Sequence, residues 1–189
     1  CIRDRHSTYL INKADFVACH NPAYVRKYNM VQDLVPGGTF LFNTQWTVDE
    51  LDEKLPGQVK RYIAENNINF YIINATKIAM DLGLGSRTNT IMQSAFFKIA
   101  NVIPFDQAVE EMKKAIYKSY GKKGEDIVNM NYAAVDKGGE EVQKVEVPAE
   151  WANITVKEAE AVADDAPEFI NKIVRPINSL NCLLYTSPS

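Results

Sequence analysis

Residues 68–97, INFYIINATKIAMDLGLGSRTNTIMQSAFF, constrain the fold more than any other part of the chain. Ile68, Phe70, Tyr71, Ile72 and Ile73 make a short run rich in β-branched and aromatic residues, too brief for a buried helix. Asn74 ends it, and helix-period sequence follows. Gly83 and Gly85 then mark a turn into another helix. A strand that stops at a polar residue and hands over to helices is the building unit of an open α/β sheet. Ligands bind such sheets outside the carboxyl ends of the strands.

The sequence before this stretch repeats the unit. Asp15-Phe16-Val17-Ala18-Cys19-His20 reads as a short buried strand, and Asn21-Pro22 supplies an N-cap and a first-turn proline for a helix over 21–29. Gly37-Gly38 predicts a turn into a second strand, Thr39-Phe40-Leu41-Phe42, closed by Asn43-Thr44-Gln45-Trp46. Thr47 and Glu50 have capping-box spacing for a helix that Pro56-Gly57 interrupts, and Val59, Tyr62 and Ile63 share one face of the next, over 58–66. Three strand–turn–helix units in succession predict a three-layer α/β/α domain with a mostly parallel sheet.

Later sequence is helical. Residues 90–102 are apolar nearly all round. Residues 104–120 are amphipathic, with Ala108, Val109, Met112, Ile116 and Tyr117 inward and Lys113, Lys114 and Lys118 outward. Gly121 and Gly124 break the pattern before a helix over 125–136. Between 136 and 168 there are ten acidic residues against three lysines, with Pro148 and Pro167 inside, a composition expected of a linker leaving the domain.

Composition narrows the class. With 189 residues, 46% hydrophobic and 24% charged, the chain can build one ordinary core. A net charge of −3 gives no electrostatic reason for a nucleic-acid partner. No apolar run approaches the roughly 18 residues of a membrane helix, and a cytoplasmic protein is expected. Two of the three cysteines sit in terminal strings that do not read as protein. Cys1-Ile2-Arg3-Asp4 is encoded by TGT-ATA-AGA-GAC and Cys182 to Ser187 by TGT-CTC-TTA-TAC-ACA-TCT, reverse complements over most of their length. Both match a transposon-end sequencing adapter, and Pro188-Ser189 continues it. Residues 1–5 and 182–189 are therefore expected to be adapter translation around true protein at 6–181. Cys19 is then the one credible cysteine, which leaves no internal disulfide and no cysteine-ligated cluster or zinc site within the segment.

The familiar catalytic motifs are absent: no GxGxxG after a strand, no GxxxxGK[ST], no HExxH and no GxSxG. Gly83-Leu84-Gly85 follows a helix and reads as its C-cap. His20 reads as a hydrogen-bonded structural residue, Cys19 as a small buried hydrophobe, and the acidic residues from Asp49 to Glu53 as a charged first helical turn. What remains is a polar set where strands end. Asn43 and Thr44 close the second strand, Asn74 and Thr76 the third, with Lys77 one helical turn in. Arg87, Thr88, Asn89 and Thr90 open the long apolar helix. Amides and hydroxyls with cationic groups suit a phosphate or other polar ligand, and equally suit turns and caps. They contain no nucleophile–base pair.

HSTYLINKADFVACHNPAYV, VPGGTFLFNTQWTVDELDEKLP, VKRYIAENNINFYIINATKIA, LGSRTNTIMQSAFFKIANVIPFDQAVEEMKKAI, YGKKGEDIVNMNYAAVDKG and VPAEWANI together resemble the central gamma domain of the pyruvate:ferredoxin (flavodoxin) oxidoreductases. The resemblance covers essentially all of 6–181. It implies a gamma-type domain over 6–147, truncated on its N-terminal side where the family's glycine-rich beginning would precede His6. A linker and lead-in to the next domain, with Phe169-Ile170 and Arg175 to Asn178, would occupy 148–181. It also implies a homodimeric enzyme of anaerobic metabolism that decarboxylates pyruvate oxidatively with thiamine diphosphate and Mg2+. Electrons would pass through iron–sulfur clusters to ferredoxin or flavodoxin, and acetyl-CoA would be made. Those cofactors belong to other domains of the family's chain, so none is expected to bind this segment. The gamma domain would cover the active-site entrance and help receive coenzyme A, with Asn43, Asn74, Lys77, Arg87, Asn89 and Thr90 as the residues to do so. A free-standing α/β binding module without redox chemistry is the alternative.

Overall fold

The computed structural model describes residues 13–28 and 30–154; the terminal strings 1–5 and 182–189 and the lead-in over 155–181 lie outside them. Strands β1 (Ala14–Cys19), β2 (Leu34–Asn43), β3 (Asn69–Ile73) and β4 (Gln143–Val145) form one sheet in that order. The first three are parallel, and β4 pairs antiparallel with β3.

Strand alternation distributes the core to two sides. Phe40, Phe42, Phe70 and Ile72 point to one face, where they meet Val25 of α1 (Pro22–Lys27), Leu51 of α2 (Val48–Lys54), and Val59 and Ile63 of α3 (Gly57–Glu65). Leu41 and Ile73 point to the other. There they meet Ile78 of α4 (Ala75–Asp81), Ile91 and Ala95 of α5 (Asn89–Ala100), and Ala134 of α7 (Glu125–Glu140). Because β2 is covered on both faces, residues 40–43 are all buried, as in a central parallel strand. Helix α6 (Phe105–Tyr120) lies outside this arrangement and packs Met112 and Ile116 against Val128 and Val135 of α7. The three-layer α/β/α class stands.

Local signals set most boundaries. The Asn21 side chain accepts from the Ala23 N–H at 3.0 Å, with Pro22 at the first helical position of α1. The Glu50 carboxylate accepts from the Thr47 N–H at 2.9 Å at the start of α2. At the end of α4, Leu84 N–H bonds to Ala79 C=O at 2.8 Å and Gly83 N–H to Met80 C=O at 3.0 Å, with Gly83 at φ +74°. That is a Schellman motif, the C-cap that Gly83-Leu84-Gly85 suggests.

Four expectations change. Among the described residues the first strand is an edge strand, buried only at Cys19 and exposed at Asp15, because its only described partner is β2. Gly37-Gly38 does not precede β2 but lies inside it, where the β1 pairing slips from Ala14↔Leu34 to Phe16↔Thr39. Gly37 has φ +77°, and a Cβ on Gly38 would sit 2.8 Å from the Val35 carbonyl oxygen, so both positions of this irregularity demand glycine. Tyr117 is 66% exposed, since the buried stripe of α6 is Ala108, Met112 and Ile116. Finally, α7 continues past 136 to Glu140, and the acidic segment beyond it returns to the domain. It forms β4 and then a 3-10 turn, Ala149–Asn153, whose Trp151 is 3% exposed. Acidic composition is carried here on exposed positions, while Val145 and Trp151 supply the burial.

Candidate functional site at the strand ends

Parallel pairing brings the carboxyl ends of β1, β2 and β3 to one edge: Cys19 is level with Phe42, and Asn43 with Ile73. The next residues, His20, Thr44 and Asn74, form the rim. Thr44 N–H donates to Ile73 C=O at 3.0 Å, and its hydroxyl accepts from Trp46 N–H at 3.0 Å, which turns the chain away from the sheet.

Asn43 is the hub of this edge and is only 2% exposed. Its Nδ2 donates to the His20 carbonyl at 2.8 Å and approaches the Thr76 hydroxyl at 3.4 Å. Its Oδ1 accepts from the Ala75 N–H at 3.0 Å. One amide therefore ties the end of β1 and the first turn of α4 to the end of β2. Both ends of that amide are engaged inside the protein, so Asn43 frames the edge and does not face solvent with a free donor.

The other candidates are placed variously. Asn74 is the N-cap of α4, its Oδ1 accepting from Lys77 N–H at 3.0 Å. Lys77 is exposed and lies 3.9 Å from Asp81. Arg87, Asn89 and Thr90 follow the Schellman turn at the far end of α4, with Arg87 N–H bonded to Leu84 C=O at 3.3 Å. The Arg87 and Asn89 side chains are exposed, and Thr90 is half-buried. Among the described residues, the hydrogen bonds that join His20, Asn43, Ala75 and Thr76 do not extend to Arg87, Asn89 or Thr90. The strand-end edge thus carries Asn43 and Asn74 in a tightly bonded network, with Lys77 exposed in the first turn of α4, whereas Arg87 is exposed beyond the far end of that helix.

Two features of the rim escape sequence reading. The His20 imidazole is exposed and makes no hydrogen bond among the described residues, whereas its backbone carbonyl is the fixed point. Trp46, edge-on to buried Phe42, has the Arg26 guanidinium 5.6 Å and the Lys54 ammonium 5.9 Å from its ring centroid. Arg26, Trp46 and Lys54 come from three separate segments, and no local spacing connects them. The Glu50 carboxyl, 2.5 Å from Lys54, is held below its ordinary range by that ammonium and by the Thr47 N–H.

A family model described as pyruvate ferredoxin/flavodoxin oxidoreductase matches residues 2–141. The chain belongs to this family. Pyruvate:ferredoxin oxidoreductase of Moorella thermoacetica is 53% identical over 174 residues, covering 92% of this chain and 15% of the relative. Pyruvate-flavodoxin oxidoreductase of Enterobacter agglomerans is 53% identical over 172 residues, or 91% of this chain and 14% of the relative. The NADP(+)-dependent mitochondrial pyruvate dehydrogenase of Euglena gracilis is 37% identical over 171 residues, or 89% of this chain and 9% of the relative. The chain thus spans about 15% of the length of the first of these. Among solved structures, the pyruvate oxidoreductase subunit PORC of Thermotoga maritima superimposes with a TM-score of 0.57 at 22% identity, covering 72% of this chain and 67% of that one. That likeness supports the α/β architecture.

The oxidoreductase family implies cofactors, and the donor set here can be tested against them. Among the described residues no group of three or more His, Cys, Asp or Glu could hold a metal ion. Cys19, the one described cysteine, is buried and its thiol is pushed up to about 11, with desolvation outweighing its bond to the Asn21 carbonyl. A protonated, enclosed thiol is a poor ligand. These residues do not fit an iron–sulfur cluster or the Mg2+ of a diphosphate cofactor. No helix of the described residues is long and apolar enough to cross a membrane.

Proposed function

We propose that this domain is one part of a cytoplasmic, homodimeric enzyme that oxidatively decarboxylates pyruvate, forms acetyl-CoA and reduces ferredoxin or flavodoxin. Its own share is to cover the active site and help receive coenzyme A. Thiamine diphosphate, Mg2+ and the iron–sulfur clusters would be held by other domains of the longer polypeptide. The observation that carries the reading is 53% identity across 92% of the chain to a pyruvate:ferredoxin oxidoreductase.

A second observation divides the labour. The names of the relatives call for ferredoxin, flavodoxin and NADP(+) as acceptors, while pyruvate is common to all three. A segment shared by relatives named for different acceptors fits the side of the reaction that those names have in common, the pyruvate side. The exposed Lys77 and Arg87 support that role as cationic groups for phosphates, and the described rim residues include no nucleophile–base pair.

The test compares two preparations. The complete enzyme should reduce a viologen dye with pyruvate and coenzyme A, whereas residues 6–181 alone should not. Turnover by the isolated segment would overturn the division of labour, and a complete enzyme inactive on pyruvate would overturn the substrate.

A further inference from the structure

The described residues contain four buried polar side chains: Asn43, Thr44, Ser94 and Asn131. Ser94 bonds to the Val135 carbonyl at 2.5 Å and pins two helices, and Asn131 bonds back to Ile127 in its own helix. Thr44 serves its own turn. Asn43 alone bonds to both neighbouring elements of the strand-end edge, one on each side. A buried amide with each end engaged has no rotational freedom, so it fixes its partners relative to one another. The partner on the β1 side is the carbonyl of His20, whose imidazole is exposed on the rim without a hydrogen bond among the described residues. A surface side chain is free to wander unless its backbone is fixed. Here the fastening is a part-buried 2.8 Å bond from an amide that is itself buried.

We infer that Asn43 is a positioning residue that holds His20 as a ligand-contacting group on the rim, at a set height relative to α4. This rests on the proposed coenzyme A role of the edge and adds to it a residue not among the phosphate donors already named. His20 can donate or accept a hydrogen bond to a polar ligand, and Asn43 acts only through it. Asn43→Asp separates the two arms. The carboxylate still accepts from Ala75 N–H, but it cannot donate to the His20 carbonyl and repels it.

The experiment is a double-mutant cycle in the complete enzyme, reading KM for coenzyme A, kcat and melting temperature for Asn43→Asp, His20→Ala and the pair. Each single change should raise the KM about fivefold, the value of one ordinary hydrogen bond, and the pair should raise it no further than the larger single change. A silent His20→Ala overturns the inference, as do strictly multiplying effects or an Asn43→Asp that lowers the melting temperature with no change in KM. Should Asn43→Asp fail to accumulate, Asn43→Ser, which cannot span both bonds, takes its place in the cycle. If Arg87→Ala is silent while His20 and Asn43 move the KM together, the arginine assignment falls and this one stands.

Discussion

The indole N–H of Trp151 donates to a carboxylate oxygen of Asp52 at 2.7 Å, joining residues 99 positions apart. Lys60 completes the clamp: its ammonium lies 3.2 Å from the same carboxylate and 5.8 Å from the indole centroid. Beneath them the ring packs towards Phe70, and Ile154 lies where a Cβ on Gly57 would approach it to 3.3 Å. The burial, more than the exposed carboxylate, holds the segment. Trp151→Ala should therefore destabilise the domain by about 3–5 kcal/mol, as for other buried tryptophans. Asp52→Asn should cost far less, because the carboxylate is exposed and surface ion pairs contribute little. Urea denaturation of both variants checks the order, and equal losses would put the weight on the carboxylate.

The same clamp has a pH signature. The Lys60 ammonium, then the Trp151 N–H, hold the Asp52 carboxyl below its ordinary 3.8. A lowered folded-state value means that the contribution is present above 3.8 and is lost as pH falls through the folded value. The stability difference between the wild-type chain and Asp52→Asn should then be constant near neutrality and shrink below about pH 4. A difference that grows on acidification would reverse the sign.

Gly138 and Gly139 yield a prediction that runs against helix propensity. A Cβ on Gly138 would stand 2.5 Å from the Ile91 carbonyl oxygen of α5, and one on Gly139 would collide with the Phe105 ring. Alanine for glycine in a helix usually adds about 0.5–1 kcal/mol. Here Gly138→Ala should instead destabilise by about 1–3 kcal/mol, because backbone must move. The chemical-denaturation midpoint is the readout, and an unchanged or raised midpoint would mean that α5 and α7 do not approach so closely.

These residues also show what the sequence discloses and what it withholds. Asn21-Pro22, Thr47 with Glu50, and Gly83-Leu84 carry their instructions within a few positions, and each forms the cap that its spacing predicts. The pattern predicts a helix only over 125–136, yet α7 runs on through Gly138 and Gly139, where the glycines answer to Ile91 and Phe105 far away in sequence. Residues 143–154 look like a linker by charge, and their attachment depends on Asp52, Lys60 and Phe70. That the polar set includes residues closing strands, Asn43 and Asn74, was legible. Which of its members face inward was not, since Asn43 is engaged by residues 23 and 32 positions away.

Cys19 should be chemically quiet. Burial raises its thiol to about 11, so little thiolate exists at pH 8, and its Sγ–H donates to the Asn21 carbonyl at 3.1 Å. Under native conditions the peptide containing Cys19 should resist iodoacetamide, and in denaturant it should label promptly, as peptide mass spectrometry can follow. Rapid native labelling would mean that the end of β1 opens readily.

Arg87 tests the proposed coenzyme A role of the exposed cationic groups. It follows the Schellman turn of α4, and its side chain is exposed without a hydrogen bond or ion pair among the described residues. Lys77, by contrast, already has Asp81 as a neighbour. The turn carrying Arg87 is held still by buried Leu84 on one side and by buried Ile91 and Met92 on the other. A guanidinium on a fixed turn can grip a phosphate through two parallel N–H donors, which a mobile lysine cannot. A charge-assisted hydrogen bond contributes about 1.5–3 kcal/mol, so Arg87→Ala in the complete enzyme should raise KM for coenzyme A by roughly tenfold or more. Arg87→Lys should recover only part of this, because the charge remains while the fork is lost. Pyruvate decarboxylation to the enzyme-bound intermediate should be nearly untouched, since the change removes binding of the second substrate only. A coenzyme A dependence identical to wild type would return Arg87 to the role of a turn residue leading into α5.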